Sequence, residues 1–244
     1  MQISSVADEV TALLRDAILR GDYEPGQRLE SERRLAERLG VSRGSVREAL
    51  KQLDQLGLLD IRHGGGARVR PLGDASLDVV RHLLHLEGGP GVELVTQLLD
   101  VHEILMISAV ELAVRNATEE EVSRARDLLE GLMDPGLGDE AYRAALDELG
   151  QLISTASRNL VLRLVRNGLR AVFADRPGQR PAVALGVERS LVATLSRRIS
   201  SALAARDPVK AQEGVRLLLR AHREQLLKRV ERSPARPLDG EGRR

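Results

Sequence analysis

Apolar residues recur at helical spacing from the start of the chain. Val6, Val10, Leu13, Leu14, Ala17 and Ile18 share one side of a 3.6-residue repeat over residues 4–21, and the cluster Gly21-Asp22-Tyr23-Glu24-Pro25-Gly26 ends the run. A second helix is predicted from Ser31, whose hydroxyl suits an N-cap, through Leu35, Ala36 and Leu39 to Gly40. Ser42 caps a third, which buries Val46, Ala49, Leu50 and Leu53 and stops at Gly57. The pattern then shortens: Leu58–Arg62 and Ala67–Arg70 flank His63-Gly64-Gly65-Gly66 and read as a hairpin.

After a linker-like run at 71–76 the pattern is helical, broken at Gly88-Gly89-Pro90-Gly91, Asp134-Pro135-Gly136, Pro177-Gly178-Gln179-Arg180-Pro181 and Asp207-Pro208. Six or seven helices are predicted over 77–232. The longest, about Val92 to Arg115, carries Leu94, Val95, Leu98, Leu105, Ala109, Leu112 and Ala113 on one face; another opens with a capping box, Thr118 with Glu121 three residues on. The last, about Val209 to Val230, presents Val215, Leu218, Leu219 and Leu226. Residues 233–244, with Pro234, Pro237, Gly240 and Gly242 among charges, read as a disordered tail. The expected fold class is mainly α: an N-terminal winged helix-turn-helix over 1–70 and a C-terminal all-helical bundle over 77–232.

At 244 residues the chain has room for two domains, and 42% hydrophobic with 30% charged residues suits folded helices. No apolar run approaches the ~18 residues of a membrane span. The first ten residues hold neither a basic nor an apolar leader segment, so a cytoplasmic address is expected. Lack of cysteine removes disulfides, thiolate metal sites and thiol nucleophiles. Tyr23, Tyr142 and Phe173 are the only aromatic residues, too few for base stacking on an RNA-binding sheet. No G-x-S-x-G elbow, Walker lysine loop or strand-borne G-x-G-x-x-G occurs, and Gly64-Gly65-Gly66 joins two strands rather than opening a helix. Neither enzyme chemistry nor a cofactor is expected. Net charge is only +1, yet from Arg33 to Arg70 nine basic residues stand against four acidic ones, a local field that concentrates a polyanion.

Three short helices followed by a hairpin place the third helix for entry into a DNA major groove, with the wing reaching a neighbouring groove. Ser42, Arg43, Gly44 and Ser45 at its N-terminus supply hydroxyls and free backbone N–H groups for phosphates and one forked side chain for guanine. Gly44 lets the helix end approach base edges, and Arg33 in the preceding helix reaches the same groove. His63 and Gly64 at the wing tip suit a narrow minor groove.

The run from Pro25 through Gln27-Arg28-Leu29-Glu30-Ser31-Glu32-Arg33-Arg34-Leu35-Ala36, followed by Gly40-Val41-Ser42-Arg43-Gly44-Ser45-Val46-Arg47-Glu48-Ala49-Leu50 and Gly57-Leu58-Leu59, strongly resembles the DNA-binding domain of GntR-family bacterial transcription regulators over residues 5–70. The resemblance carries DNA contact to Arg33, Ser42, Arg43, Gly44, Ser45, Arg47, His63 and Gly64. Glu30 departs from it, standing where the family usually has proline.

The bundle resembles the effector-binding and dimerisation domain of the FadR branch of that family, in Leu98-Leu99-Asp100-Val101-His102-Glu103 and Ala156-Ser157-Arg158-Asn159. Many members of that branch hold a divalent metal through one Asp and three His. The corresponding positions here are Leu146, Gly150, Ser196 and Leu218, with Asp147 and His222 out of register, so no metal is expected. Leu164 through Phe173 is more similar to the fatty-acyl-CoA-responsive member than to the metal-binding ones. The resemblance thus implies a homodimer on a palindromic double-stranded operator, released by an acyl-CoA or similar hydrophobic carboxylate, and no membrane partner. The alternative is a metal-dependent regulator responding to an organic acid. His102 and His222, each continuing an apolar stripe, are candidates for the effector pocket with Ser196, although a hydrogen-bonded core histidine is the blander reading of either. His82 and His85, three apart with no matching carboxylate, are expected as surface histidines.

Overall fold

The computed structural model describes residues 5–62, 66–86, 91–174 and 187–231. Two compact units divide the chain, the first ending at Pro90 and the second being Gly91–Ala235. The division falls after the run at 71–76: that segment forms a 3-10 turn, Leu72–Asp74, and leads to helix α4 (Val79–His85), whose Val79, Leu83 and Leu84 are buried. The expected tail at 233–244 lies outside the described residues.

The first unit begins with α1 (Val6–Leu19), α2 (Glu32–Leu39) and α3 (Arg43–Gln55). Each starts on a serine whose hydroxyl accepts a backbone N–H three residues on: Ser5 from Asp8, Ser31 from Arg34, Ser42 from Ser45. Gly40, at φ 67°, ends α2 in the left-handed conformation that a side chain resists. Leu14, Leu35, Val46, Ala49, Leu53, Leu58 and Leu59 are essentially inaccessible and form the core. Val6 and Leu13, counted above on the apolar side of α1, are exposed, so the buried stripe is Val10, Leu14, Ile18 and Leu19. A polar link adds to it: the Thr11 hydroxyl bonds Gln52 Oε1 at 2.7 Å, and Gln52 Nε2 donates to Asp8 at 3.2 Å. Strands β1 (Leu59–Arg62) and β2 (Gly66–Val69) pair antiparallel, Leu59 opposite Val69. The chain before α2 lies along β2, with Leu29 N–H on Ala67 O and Val69 N–H on Gln27 O, both 2.9 Å.

The second unit holds α5 (Val92–Asn116), α6 (Glu119–Gly131), α7 (Asp139–Ala156), α8 (Leu160–Ala174), α9 (Arg189–Ala204) and α10 (Pro208–Glu231). With α4 these make seven helices beyond the linker-like run among the described residues. Thr118 and Glu121 form the predicted capping box of α6. The core joins Val110, Leu129, Leu149, Val192, Leu195, Ile199 and Leu218, with Tyr142 fully buried among them. On α5 the predicted Val95, Leu98, Ala109 and Ala113 are buried, but the buried face is wider than predicted and shifted: Met106, Val110 and Val114 are also inside, while Leu94, Leu105 and Leu112 are half-buried. Among the described residues no helix is long and apolar enough to cross a membrane.

Leu53, with no accessible surface at the centre of the first core, sets a stability test. Leu53→Ala is expected to cost about 2–5 kcal/mol and Leu13→Ala less than about 0.5 kcal/mol, read from urea midpoints by circular dichroism. Equal losses would contradict the packing described.

Candidate nucleic-acid interface and effector site

Five of the eight expected DNA contacts, Ser42, Arg43, Gly44, Ser45 and Arg47, lie at the start of α3. Ser42 holds the N-cap with its oxygen 3.0 Å from Ser45 N and 2.9 Å from Ser45 Oγ, so two hydroxyls and the first free N–H groups of the helix stand at one exposed end. Arg43 opens the helix, exposed, and Arg47 one turn on shares its side. Arg47 is gripped by Glu32 of α2 through contacts of 2.9–3.3 Å, and this guanidinium holds the Glu32 carboxyl below the usual carboxylate range. Arg33 is exposed on α2 and bonds Glu37 at 3.4 Å. At Gly44 an added Cβ would meet nothing closer than Ser42 Oγ at 3.6 Å, so nothing inside the protein demands glycine there. His63 and Gly64 lie outside the described residues.

Three features of this face were not anticipated. Glu32 counter-charges Arg47 from fifteen residues away. Arg28 lies against the wing, its Nε 2.8 Å from where a Cβ of Gly66 would stand. Glu30, at the departure from the family pattern, accepts from Arg38 Nη2 at 2.8 Å while Arg38 also donates to the Tyr23 hydroxyl at 3.3 Å, so an ion pair tethers the start of α2. A motif fixes residue types at positions, but not which charges meet.

In the second unit the three expected effector residues take separate places. His222 is buried and committed at both nitrogens: Nδ1 lies 2.7 Å from the Leu218 carbonyl, which only accepts, so Nδ1 carries the proton and Nε2 accepts from the Tyr142 hydroxyl at 3.0 Å. Burial pushes His222 below the usual histidine value, against the Leu218 hydrogen bond, and raises Tyr142 to about 12. The Arg189 guanidinium stacks 4.1 Å over the Tyr142 ring. Tyr142, one of three aromatic residues, was the visible signal for this core network. Ser196 is fully buried with its Oγ lacking a partner among the described residues. His102 is half-buried; burial and then the nearby Arg166 charge push it below the usual histidine value.

Arg166 also decides how the expected metal positions read. Its Nη2 bonds the Asp147 carbonyl at 3.0 Å and carboxylate at 3.1 Å, and lies 2.9 Å from where a Cβ of Gly150 would stand. A guanidinium thus sits beside one of the four positions, two others are leucines and the last is a hydroxyl. This donor set does not fit a divalent cation, and Asp147, the nearest carboxylate, is paired with Arg166. His82, expected at the surface, is half-buried; burial and the charges of Arg15 and Arg81 lower it to about 4.

Comparisons with known proteins agree with this layout. Residues 6–69 match the model of bacterial regulatory proteins of the gntR family, and residues 97–221 match the FCD domain. The HTH-type transcriptional regulator Mce2R of Mycobacterium tuberculosis is 31% identical over 221 residues, 88% of this chain and 89% of that protein. A fatty acid metabolism regulator protein of Erwinia tasmaniensis is 28% identical over 159 residues, 65% of each chain. The solved structure of Lar, described as controlling expression of the Listeria monocytogenes agr system, superposes with a TM-score of 0.54 at 17% identity, covering 95% of this chain and 99% of that one, and shows the shared fold.

The Tyr142–His222 pair sets a prediction. His82, His102 and His222 are all depressed in the fold, so below the ordinary value of about 6.5 the unfolded chain binds more protons. Their contribution is complete above that pH and is lost as pH falls through it. The melting temperature is expected to fall between pH 7.5 and 5, and Tyr142→Phe to cost about 1–3 kcal/mol at pH 7.5 by leaving Nε2 unsatisfied. A Tyr142→Phe protein as stable as wild type in thermal denaturation contradicts the pairing.

Proposed function

The chain belongs to the gntR family of bacterial regulatory proteins and carries an FCD domain behind its helix-turn-helix module, and from that membership we propose that it acts as a homodimeric repressor on a palindromic operator, released when a hydrophobic carboxylate or acyl thioester occupies its helical unit. The family and the relatives are transcription regulators, not enzymes.

The observation that carries the DNA-reading role is the N-terminus of α3, where exposed Arg43, the open space at Gly44 and the hydroxyls of Ser42 and Ser45 converge on one unshielded helix end. Hydroxyls and N–H groups hold phosphates, and a fork on the same end reads a guanine edge. Arg33 and Arg47 flank it, and His63 and Gly64 would extend contact from the wing. One such module falls short of the ~10⁻⁸–10⁻¹¹ M affinity of specific sites, which favours two modules on symmetric half-sites.

For the effector, the relative named as a fatty acid metabolism regulator supports an acyl ligand, and Arg166 beside His102 offers a polar end without a metal. The apolar cavity lined by Val110, Ala113, Leu149, Ile153, Ile199 and Val215 measures about 40 Å³, far below the ~300–1,000 Å³ of ligand pockets. An acyl chain therefore enters by parting helices, which gives it differential affinity for two arrangements. A tenfold release of operator needs ~1.4 kcal/mol of that difference.

Two measurements test this. Arg43→Ala is expected to cost ~1–3 kcal/mol on operator and relax preference at one base. Gly44→Ala should leave melting unchanged or slightly raised while weakening operator binding. Equal losses on operator and random DNA contradict the assignment. Operator affinity is then titrated with long-chain acyl-CoA, free fatty acid and small hydroxy acids, with and without chelator. Release by the acyl compounds regardless of chelator is expected. Release only by a small acid and only with metal would establish the metal-dependent alternative.

A further inference from the structure

We infer that the outward face shared by α5 and α10 is where two copies of this chain meet across a two-fold axis. The inference rests on the homodimeric reading above and names its interface. Helices of 25 and 24 residues, α5 and α10 lie antiparallel: Asp100 pairs with Arg223, Glu103 with Arg216 and Arg220 at 3.7 Å each, and Gln212 with the Ile107 carbonyl at 3.1 Å. Between them runs a groove of about 720 Å³ whose lining includes Asp100, Glu103, Ile104, Ile107, Arg216 and Arg220.

Two properties of this face select its occupant. Its ridge is apolar where it is most open: Ile104 is 66% exposed, and Val101 beside it is also exposed. Val209, 71% exposed, stands seven residues before Arg216 and so on the same side of α10. Exposed apolar side chains beside a groove mark a contact surface. The charges are unevenly divided between the helices: Arg216, Arg220 and Arg223 on α10, with Glu224 the one acid of the lining on that helix, stand against Asp100 and Glu103 on α5. A polyanion or an acidic lipid surface meets repulsion from α5. A second copy does not, because a two-fold operation sets the acidic edge of each α5 against the basic edge of the partner's α10, twice over, and brings the Ile104 side chains toward the axis.

The test uses the full chain and sedimentation velocity across micromolar concentrations. Wild type is expected to be a dimer. Ile104→Asp, at an exposed position, is expected to melt as wild type and to weaken dimerisation at least about tenfold. Glu103→Arg and Arg220→Glu are each expected to weaken it by like-charge contact, and an equimolar mixture of those two variants to regain dimers. In the mixture the reversed α5 position of one copy meets the reversed α10 position of the other, a rescue that a change within one chain cannot produce. If all three variants dimerise like wild type, the α5–α10 face is not the interface although the dimeric reading stands. If the three variants lose dimers but the mixture regains none, the acidic-to-basic edge pairing is overturned. A wild-type protein that stays monomeric with and without operator overturns both the dimeric reading and this inference.

Discussion

The presentation of Arg43 and Arg47 in the first unit depends on burial of one side of α3. Val46, Ala49, Leu50 and Leu53 are packed within the unit's core, and a helix with 3.6 residues per turn that commits those positions inward has no freedom to choose where Arg43 and Arg47 point. Ser42 then fixes where the helix begins, and so which N–H groups are left free. The wing is tied to the same core because residues 27–29 bond along β2, so α3 and the wing are parts of one packed object.

The charge on that face is managed as well as presented. Arg47, Arg33 and Arg38 each have a carboxylate partner on or beside α2. Exposed pairs of this kind contribute little stability; their consequence is orientation and a lower cost of holding like charges together before a polyanion neutralises them.

The second unit rests on different chemistry. Its interior is mostly aliphatic, which packs tightly yet tolerates rearrangement, and through it runs a directional chain from Arg189 over Tyr142 to His222 and the Leu218 carbonyl. That chain ties α7, α9 and α10 in one arrangement, since a buried hydroxyl or imidazole without a partner is costly. On the proposed function, parting the helices to admit a ligand would have to preserve these bonds or replace them.

Much of the architecture was legible from the chain because its signals are local. Ser31, Ser42 and Thr118 cap the helices that follow them, Gly40 closes α2, and the change of period after Gly57 marks the hairpin, all within a few residues of the structure they specify. The residues presented at the start of α3 were legible for the same reason. Periodicity was less sharp for α5, where apolar residues surround much of the helix and packing selected Met106, Val110 and Val114 over Leu105 and Leu112. The pairings were beyond reach: Tyr142 and His222 are eighty residues apart, Glu32 and Arg47 fifteen, Arg166 and Asp147 nineteen. Sequence by itself determined which groups are able to bond and on which element each is carried. Which of them bond was decided only when the helices packed, because hydrogen bonds and ion pairs act over a few ångströms and the packed fold alone brings distant residues within that range.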